Sequence, residues 1–222
     1  LSLHDALPIF DCGFTASKAL HDLGLSLAQV DGVVITHIHA DHVGGLEELA
    51  FQNYYSFKRR IRLYVPAKLE HILWEHSLRG GLENRAENLT SLNDYFEVVP
   101  LPELQPTALH PELTIKLLPT EHIQGKHSYA LTLNETIYYS SDAKFNREAL
   151  LELHQSGCRH ILHDCQFSSP GIVHASLDEL LTLPEDVQKK VLLMHYSDQM
   201  PKYIGQTGHM TFIEQSKRYT LT

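Results

Sequence analysis

With 222 residues, 43% hydrophobic and 20% charged, the chain is long enough to bury the core of one large globular domain. A net charge of −9 excludes a generally basic surface for indiscriminate nucleic-acid binding, and no apolar run approaches the roughly 20 residues of a membrane span. Cys12, Cys158 and Cys165 show no CxxC spacing, which argues against a disulfide framework or a thiolate zinc site and favours a reducing, cytoplasmic setting.

Ser2-Leu3-His4-Asp5-Ala6-Leu7-Pro8-Ile9 reads as a translated sequencing-adapter oligonucleotide joined to the chain near Phe10. Residues 1–9 are therefore set aside as a non-native scar, His4 and Asp5 receive no role, and residues 10–222 are expected to form one domain. From Phe10 a strand end turns at Gly13 into a helix over Ala16 to Leu23, closed by Gly24. Val33-Val34-Ile35-Thr36 is a buried strand, and Asp41 to Leu49 reads as the helix that follows it. Ile61 to Val65 forms a second strand stopped by Pro66. Ala67 to Leu78 carries Leu69, Ile72, Leu73 and Leu78 at helical spacing. Residues 80 to 93 read as a polar loop.

Phe96 to Leu101, Leu113 to Leu118, Tyr129 to Leu133 and Thr136 to Tyr139 have strand character, with Asn134-Glu135 as a hairpin turn. Asn146 to His154 is helical, ending near Gly157. Ile161-Leu162 and Val191 to Met194 are short buried strands, with an amphipathic stretch from Ser176 to Leu183 between them. Without internal repeats or a linker, this order suits two sheets flanked by helices.

The 16 histidines decide the chemistry. Thr36-His37-Ile38-His39-Ala40-Asp41-His42 places an H-x-H-x-D-H cluster directly after a buried strand. Two residues apart in extended backbone, His37 and His39 leave the same face and reach one ion. Asp41 and His42 turn into the next helix beside Gly44-Gly45, where the backbone approaches closely, and serve a second ion. A solvated polar loop is the bland reading, but four donor side chains within six residues argue against it. Three further candidates follow hydrophobic strands: His122 after Ile115 to Pro119, Asp142 after Ile137 to Ser141, and His195 after Val191 to Met194. Singly each is more often a satisfied structural residue; together with the cluster they complete a ligand set.

These residues resemble the metallo-β-lactamase superfamily, whose T-H-x-H-x-D-H motif and later His, Asp and His match Thr36 to His42, His122, Asp142 and His195. The resemblance runs from Phe10 onward and implies an α/β fold, a four-layered αββα sandwich. The family's D-x-G segment is matched by Asp11-Cys12-Gly13, and the strand or two that precede it are expected to be absent or replaced by the scar. His37, His39 and His122 are then expected to bind one ion, Asp41, His42 and His195 another, and Asp142 to bridge them. The pair is expected to be zinc, with manganese or iron as alternatives.

His163-Asp164-Cys165-Gln166-Phe167, with His174-Ala175-Ser176, is similar to the paired motifs of the ribonuclease Z and small phosphodiesterase branch. There an acidic residue orients a catalytic histidine, here Asp164 and His174. The sequence departs from that branch in carrying Asp for Glu and Ala175 within the His-Ser pair, and Asp164 and His174 also read as a strand end and a helix lead-in. The expectation is a binuclear phosphodiesterase using a metal-bridging hydroxide, with Asp41, Asp164 and His174 as its catalytic residues. Its substrate is expected to be RNA or, since no ribonuclease Z-like transfer-RNA arm is visible, a cyclic nucleotide or cyclic phosphate. The family also suggests a homodimer. An acyl hydrolase (lactonase, thioesterase or β-lactamase-like) is the alternative, and a non-catalytic metal-binding module a third reading. His127 is read as pocket lining or, more readily, a surface turn; Lys58-Arg59-Arg60-Ile61-Arg62 as a phosphate-holding run or, more readily, a solvated helix end; His71 and His76 as surface.

Overall fold

In the computed structural model, which describes residues 8–221, short β-branched and aromatic runs organise the first of two units, Leu1–Glu103 and Leu104–Thr222. His4 and Asp5 lie outside the described residues. In chain order the first unit contains Pro8–Phe10 (β1), Ala16–Asp22 (α1), Gly32–Val34 (β2), Ala40–Val43 (α2), Leu46–Phe51 (α3), Arg62–Pro66 (β3), Glu70–Leu73 (α4), Arg79–Leu82 (α5), Leu92–Tyr95 (α6) and Glu97–Leu101 (β4). The strands form a parallel sheet in the order β1-β2-β3-β4. Continuous burial of β2 fits a parallel strand covered on both faces. Because β1 and β2 run the same way, Asp11 and Ile35 leave the sheet at one edge.

The helix expected over Ala16 to Leu23 is α1, and Gly24 takes the left-handed conformation that ends it (φ +73). The single helix expected over Asp41 to Leu49 is instead two, α2 and α3, divided at Gly44-Gly45. The cause is a close backbone crossing. A Cβ on Gly13 would lie 1.9 Å from the Asp41 carbonyl oxygen, and one on Gly45 would lie 2.4 Å from that of Gly13. Residues 67 to 69 form a turn before α4, which widens into a π turn over Trp74–Leu78. Residues 80 to 93, expected to be loop, carry the end of α5, a 3-10 turn at Arg85–Glu87 and the start of α6. Helices of four residues are too short to display a 3.6-residue period.

The second unit contains Pro106–His110 (β5), Leu113–Thr120 (β6), Ser128–Leu133 (β7), Ile137–Tyr139 (β8), Arg147–Gln155 (α7), His160–Asp164 (β9), Leu177–Leu180 (α8), Glu185–Gln188 (α9), Val191–Met194 (β10) and Thr211–Phe212 (β11). Its seven-stranded sheet has the order β11-β10-β9-β8-β7-β6-β5. Asn134 and Glu135 both take positive φ (49 and 60) in the β7–β8 turn, the backbone of a tight type I′ hairpin. Asn146 caps α7 by accepting a hydrogen bond from the Ala149 amide at 3.1 Å. Ala130, Tyr138, Leu150, Ile161, Leu180, Val191 and Leu193 belong to one buried cluster, where each large aliphatic contributes about 1.5–3 kcal/mol by leaving water.

Strand direction sets up the site. β8, β9 and β10 are mutually parallel, and β6 shares their direction because two antiparallel pairings separate it from β8. The carboxyl ends of β6, β8, β9 and β10 therefore meet one edge of the sheet. The three free thiols are each 1% exposed. Burial pushes Cys12 up to about 12, helped by the neighbouring Asp11 charge, and does the same to Cys165 beside Asp164; Cys158 is also raised by burial. Among the described residues no helix is long and apolar enough to cross a membrane.

Candidate metal centre

In the first unit the H-x-H-x-D-H cluster hangs from the end of β2 and is tied to the residue after β1. Asp11 accepts hydrogen bonds from the Thr36 amide and the Thr36 hydroxyl, both at 2.8 Å, and its Oδ2 lies 2.7 Å from His42 Nδ1. His42 therefore carries its proton on Nδ1, leaving Nε2 as the donor nitrogen. Thr36 Oγ1, having given its proton to Asp11, accepts from His37 Nδ1 at 3.2 Å. That leaves Nε2 as the donor nitrogen of His37, 3.1 Å from Nδ1 of His39. Two nitrogens bound tetrahedrally to one cation at roughly 2.0–2.1 Å stand about 3.3 Å apart, so this spacing fits a shared ion. The His37 and His42 rings lie 4.0 Å apart between centroids. Asp41 has a half-exposed side chain, with Oδ2 3.7 Å from His42 Nε2.

In the second unit the shared strand edge gathers the dispersed residues. His122 follows β6, Asp142 follows β8, Asp164 ends β9 and His195 follows β10. Asp142 is 2% exposed. Its Oδ2 lies 3.7 Å from His122 Nε2, and its Oδ1 lies 3.6 Å from His195 Nε2. His122 Nδ1 donates to the Val173 carbonyl oxygen at 2.7 Å, which again leaves Nε2 as the donor nitrogen. Donor types, tautomers and spacings in both units fit divalent cations.

His174 is the neighbour of this group. Its Nδ1 lies 2.8 Å from Asp164 Oδ2 and 3.9 Å from Asp142 Oδ2. Asp164 is completely buried, and desolvation alone would raise its pKa. Hydrogen bonds from His163 and His174 more than offset that effect and hold the carboxyl below the usual carboxylate range. A cavity of about 340 Å3 opens beside His174 and His195, lined also by Phe167, Ser168, Ser197 and Gln199.

The backbone is strained beside the donors of each unit. In the first, Asp11 (φ 59), and in the second, Ser141 and His195 (φ 49 and 53), occupy left-handed conformations, each costing roughly 1–3 kcal/mol where glycine is absent.

Other histidine and basic candidates stand apart. His71, His76 and His127 are exposed. In the basic run, Arg59 bonds Asn53 Oδ1 at 2.8 Å and the Val30 carbonyl at 2.7 Å, Arg60 bonds the Asn93 carbonyl at 2.8 Å, and Arg62 pairs with Glu97 at 3.6 Å. These guanidiniums brace the first unit. Sequence reasoning missed the orienting role of Asp11, whose partners lie 25 and 31 residues away, and that of the Val173 carbonyl, which no side-chain pattern marks.

A family model described as Anti-Pycsar protein Apyc1 matches residues 3–219. The chain is 55% identical over 215 residues to an Anti-Pycsar protein Apyc1 of Paenibacillus xerothermodurans, covering 96% of this chain and 86% of the relative. Among solved structures, a diphosphatase of the PhnP family is similar at TM-score 0.71 and 16% identity, over 99% of this chain and 81% of its own. The metallo-beta-lactamase fold protein YhfI of Bacillus subtilis gives 0.67 at 17%, over 93% and 85%. The short form of human tRNase Z gives 0.65 at 16%, over 97% and 88%. These likenesses establish the metallo-β-lactamase fold.

Proposed function

We propose that this chain, which belongs to the Anti-Pycsar protein Apyc1 family, is a binuclear metal-dependent phosphodiesterase acting on a cyclic nucleotide or cyclic phosphate. The observation that carries the reading is the Asp142 carboxylate, whose two oxygens face different imidazoles, His122 and His195. That is the arrangement required of a carboxylate serving two cations at once. His37, His39 and His122 would hold one ion, Asp41, His42 and His195 the other, with Asp142 between them. Nitrogen and oxygen donors of this kind suit zinc first, then manganese or iron. Such a cation pair, when bound, supplies Lewis acidity that brings the pKa of water towards about 7 and offsets charge on phosphoryl oxygens.

The remaining work falls to the chain's own residues. Asp11 and the Val173 carbonyl fix the tautomers of His42 and His122. Asp164 fixes Nδ1 of His174 and leaves Nε2 to carry the transferable proton. A sugar alkoxide is a poor leaving group, so the proton that His174 delivers to the departing oxygen is worth about 10²–10⁴ in rate. Acyl transfer has less need of this pair. Two solved neighbours, named as a diphosphatase and a tRNase Z, support chemistry at phosphorus.

The deciding experiment measures metal content together with hydrolysis of bis(p-nitrophenyl) phosphate and 3′,5′-cyclic nucleotides, beside a lactone and a thioester, before and after chelation. Near two ions per chain with chelator-sensitive phosphodiester turnover is expected. Turnover of only the lactone or thioester makes the protein an acyl hydrolase. Metal without turnover of any substrate makes it a binding module, and absence of bound metal overturns the ligand assignment.

A further inference from the structure

His163 stands immediately before Asp164 in β9 and is 2% exposed. Its Nδ1 donates to the Asp164 backbone oxygen at 2.9 Å and lies 3.0 Å from Asp164 Oδ1, near enough to share the proton with that carboxylate oxygen. Both neighbours are acceptors, so Nδ1 must carry the ring proton. On the far side of the same carboxylate, Oδ2 meets His174 Nδ1 at 2.8 Å and the Ala143 amide at 3.3 Å. The Ser140 hydroxyl lies 3.3 Å from Oδ1 and accepts from the Asp164 amide at 2.9 Å.

We propose that His163 is a positioning residue for the reaction, clamping Oδ1 of Asp164 so that Oδ2 holds His174 in one tautomer and one orientation. The proposal rests on the reading of His174 as the proton donor. A buried carboxylate held at one oxygen retains rotation about its Cβ–Cγ bond, and an imidazole hung from the other oxygen follows that rotation. Clamping both oxygens removes this freedom. Without the His163 proton, Oδ1 keeps only the longer approach of Ser140, whose hydroxyl also lies 2.7 Å from the Ser141 carbonyl oxygen. His163 acts through Asp164 and His174, so its effect must vanish when His174 is gone.

The test is a double-mutant cycle on the full chain with metal loaded. His163→Leu should lower kcat on a cyclic nucleotide by about 10–100-fold, the usual cost of losing an orienting partner, with KM and metal content within about twofold. His163→Asn, whose side-chain amide places a donor close to the position of Nδ1, should recover most of that loss. In a His174→Ala background, His163→Leu should cost nothing further. Nitrogen-15 spectra of the His174 ring without metal give a readout independent of turnover: a single Nδ1–H form in the parent chain and a mixture of tautomers in His163→Leu. Losses that multiply across the cycle, an Asn variant no better than Leu, or an unchanged His174 spectrum would each overturn the assignment. Failure of the parent chain to turn over any phosphodiester sinks the functional reading instead, while the spectra still decide the clamp.

Discussion

The two units build their donor groups in opposite ways. The first concentrates His37, His39, Asp41 and His42 within six residues and ties His42 directly, and His37 through Thr36, to the single carboxylate of Asp11. The second draws His122, Asp142, Asp164, His174 and His195 from separate segments, and four of them reach one edge through strand direction. A local cluster depends on a short stretch of backbone and one orienting group. A dispersed cluster depends on the register of a whole sheet.

The largest effect separating the two should come from Asp142→Ala. If this carboxylate serves both ions, metal analysis should show both lost and turnover should fall to the detection limit; retention of one ion would show that it serves a single site. Next, His174→Ala should keep both ions by the same analysis and lose about 10²–10⁴ in kcat. Asp11→Ala should weaken metal affinity by about 10–100-fold in competition titrations, since His42 and Thr36 lose their partner while the donors remain. A smaller effect is expected from Asp164→Asn in acid unfolding. The Asp164 pKa is depressed in the folded chain, so its contribution is present above the unfolded value near 3.9 and lost as pH falls through the lower folded value. The parent chain should therefore lose more stability across that window than the Asn variant, and parallel acid curves would contradict this.

The same contrast explains what was legible in the sequence. The donor run of the first unit is visible because its residues are neighbours in the chain. In the second unit each candidate was only a histidine or aspartate after a hydrophobic run, and the sheet topology supplies the reason they meet. Strands such as β10 were legible from continuous apolar runs. β5 was not, because Pro106 and the polar residues around it interrupt any alternation. The break between α2 and α3 was hidden because the crossing that imposes it involves Gly13, some thirty residues upstream. The orienting roles of Asp11 and His163 depend on hydrogen-bond geometry, which no spacing rule reports.

The sequestered thiols have a practical consequence. Cys12 belongs to the first unit, Cys158 and Cys165 to the second, and all three are buried with raised pKa values. Alkylation therefore requires local opening, and pulse labelling followed by peptide mass analysis reads the opening free energy of each unit without an added probe. Metal that stabilises both donor groups would slow labelling at Cys12 and at Cys165 together, giving a measure of coupling that needs no substrate.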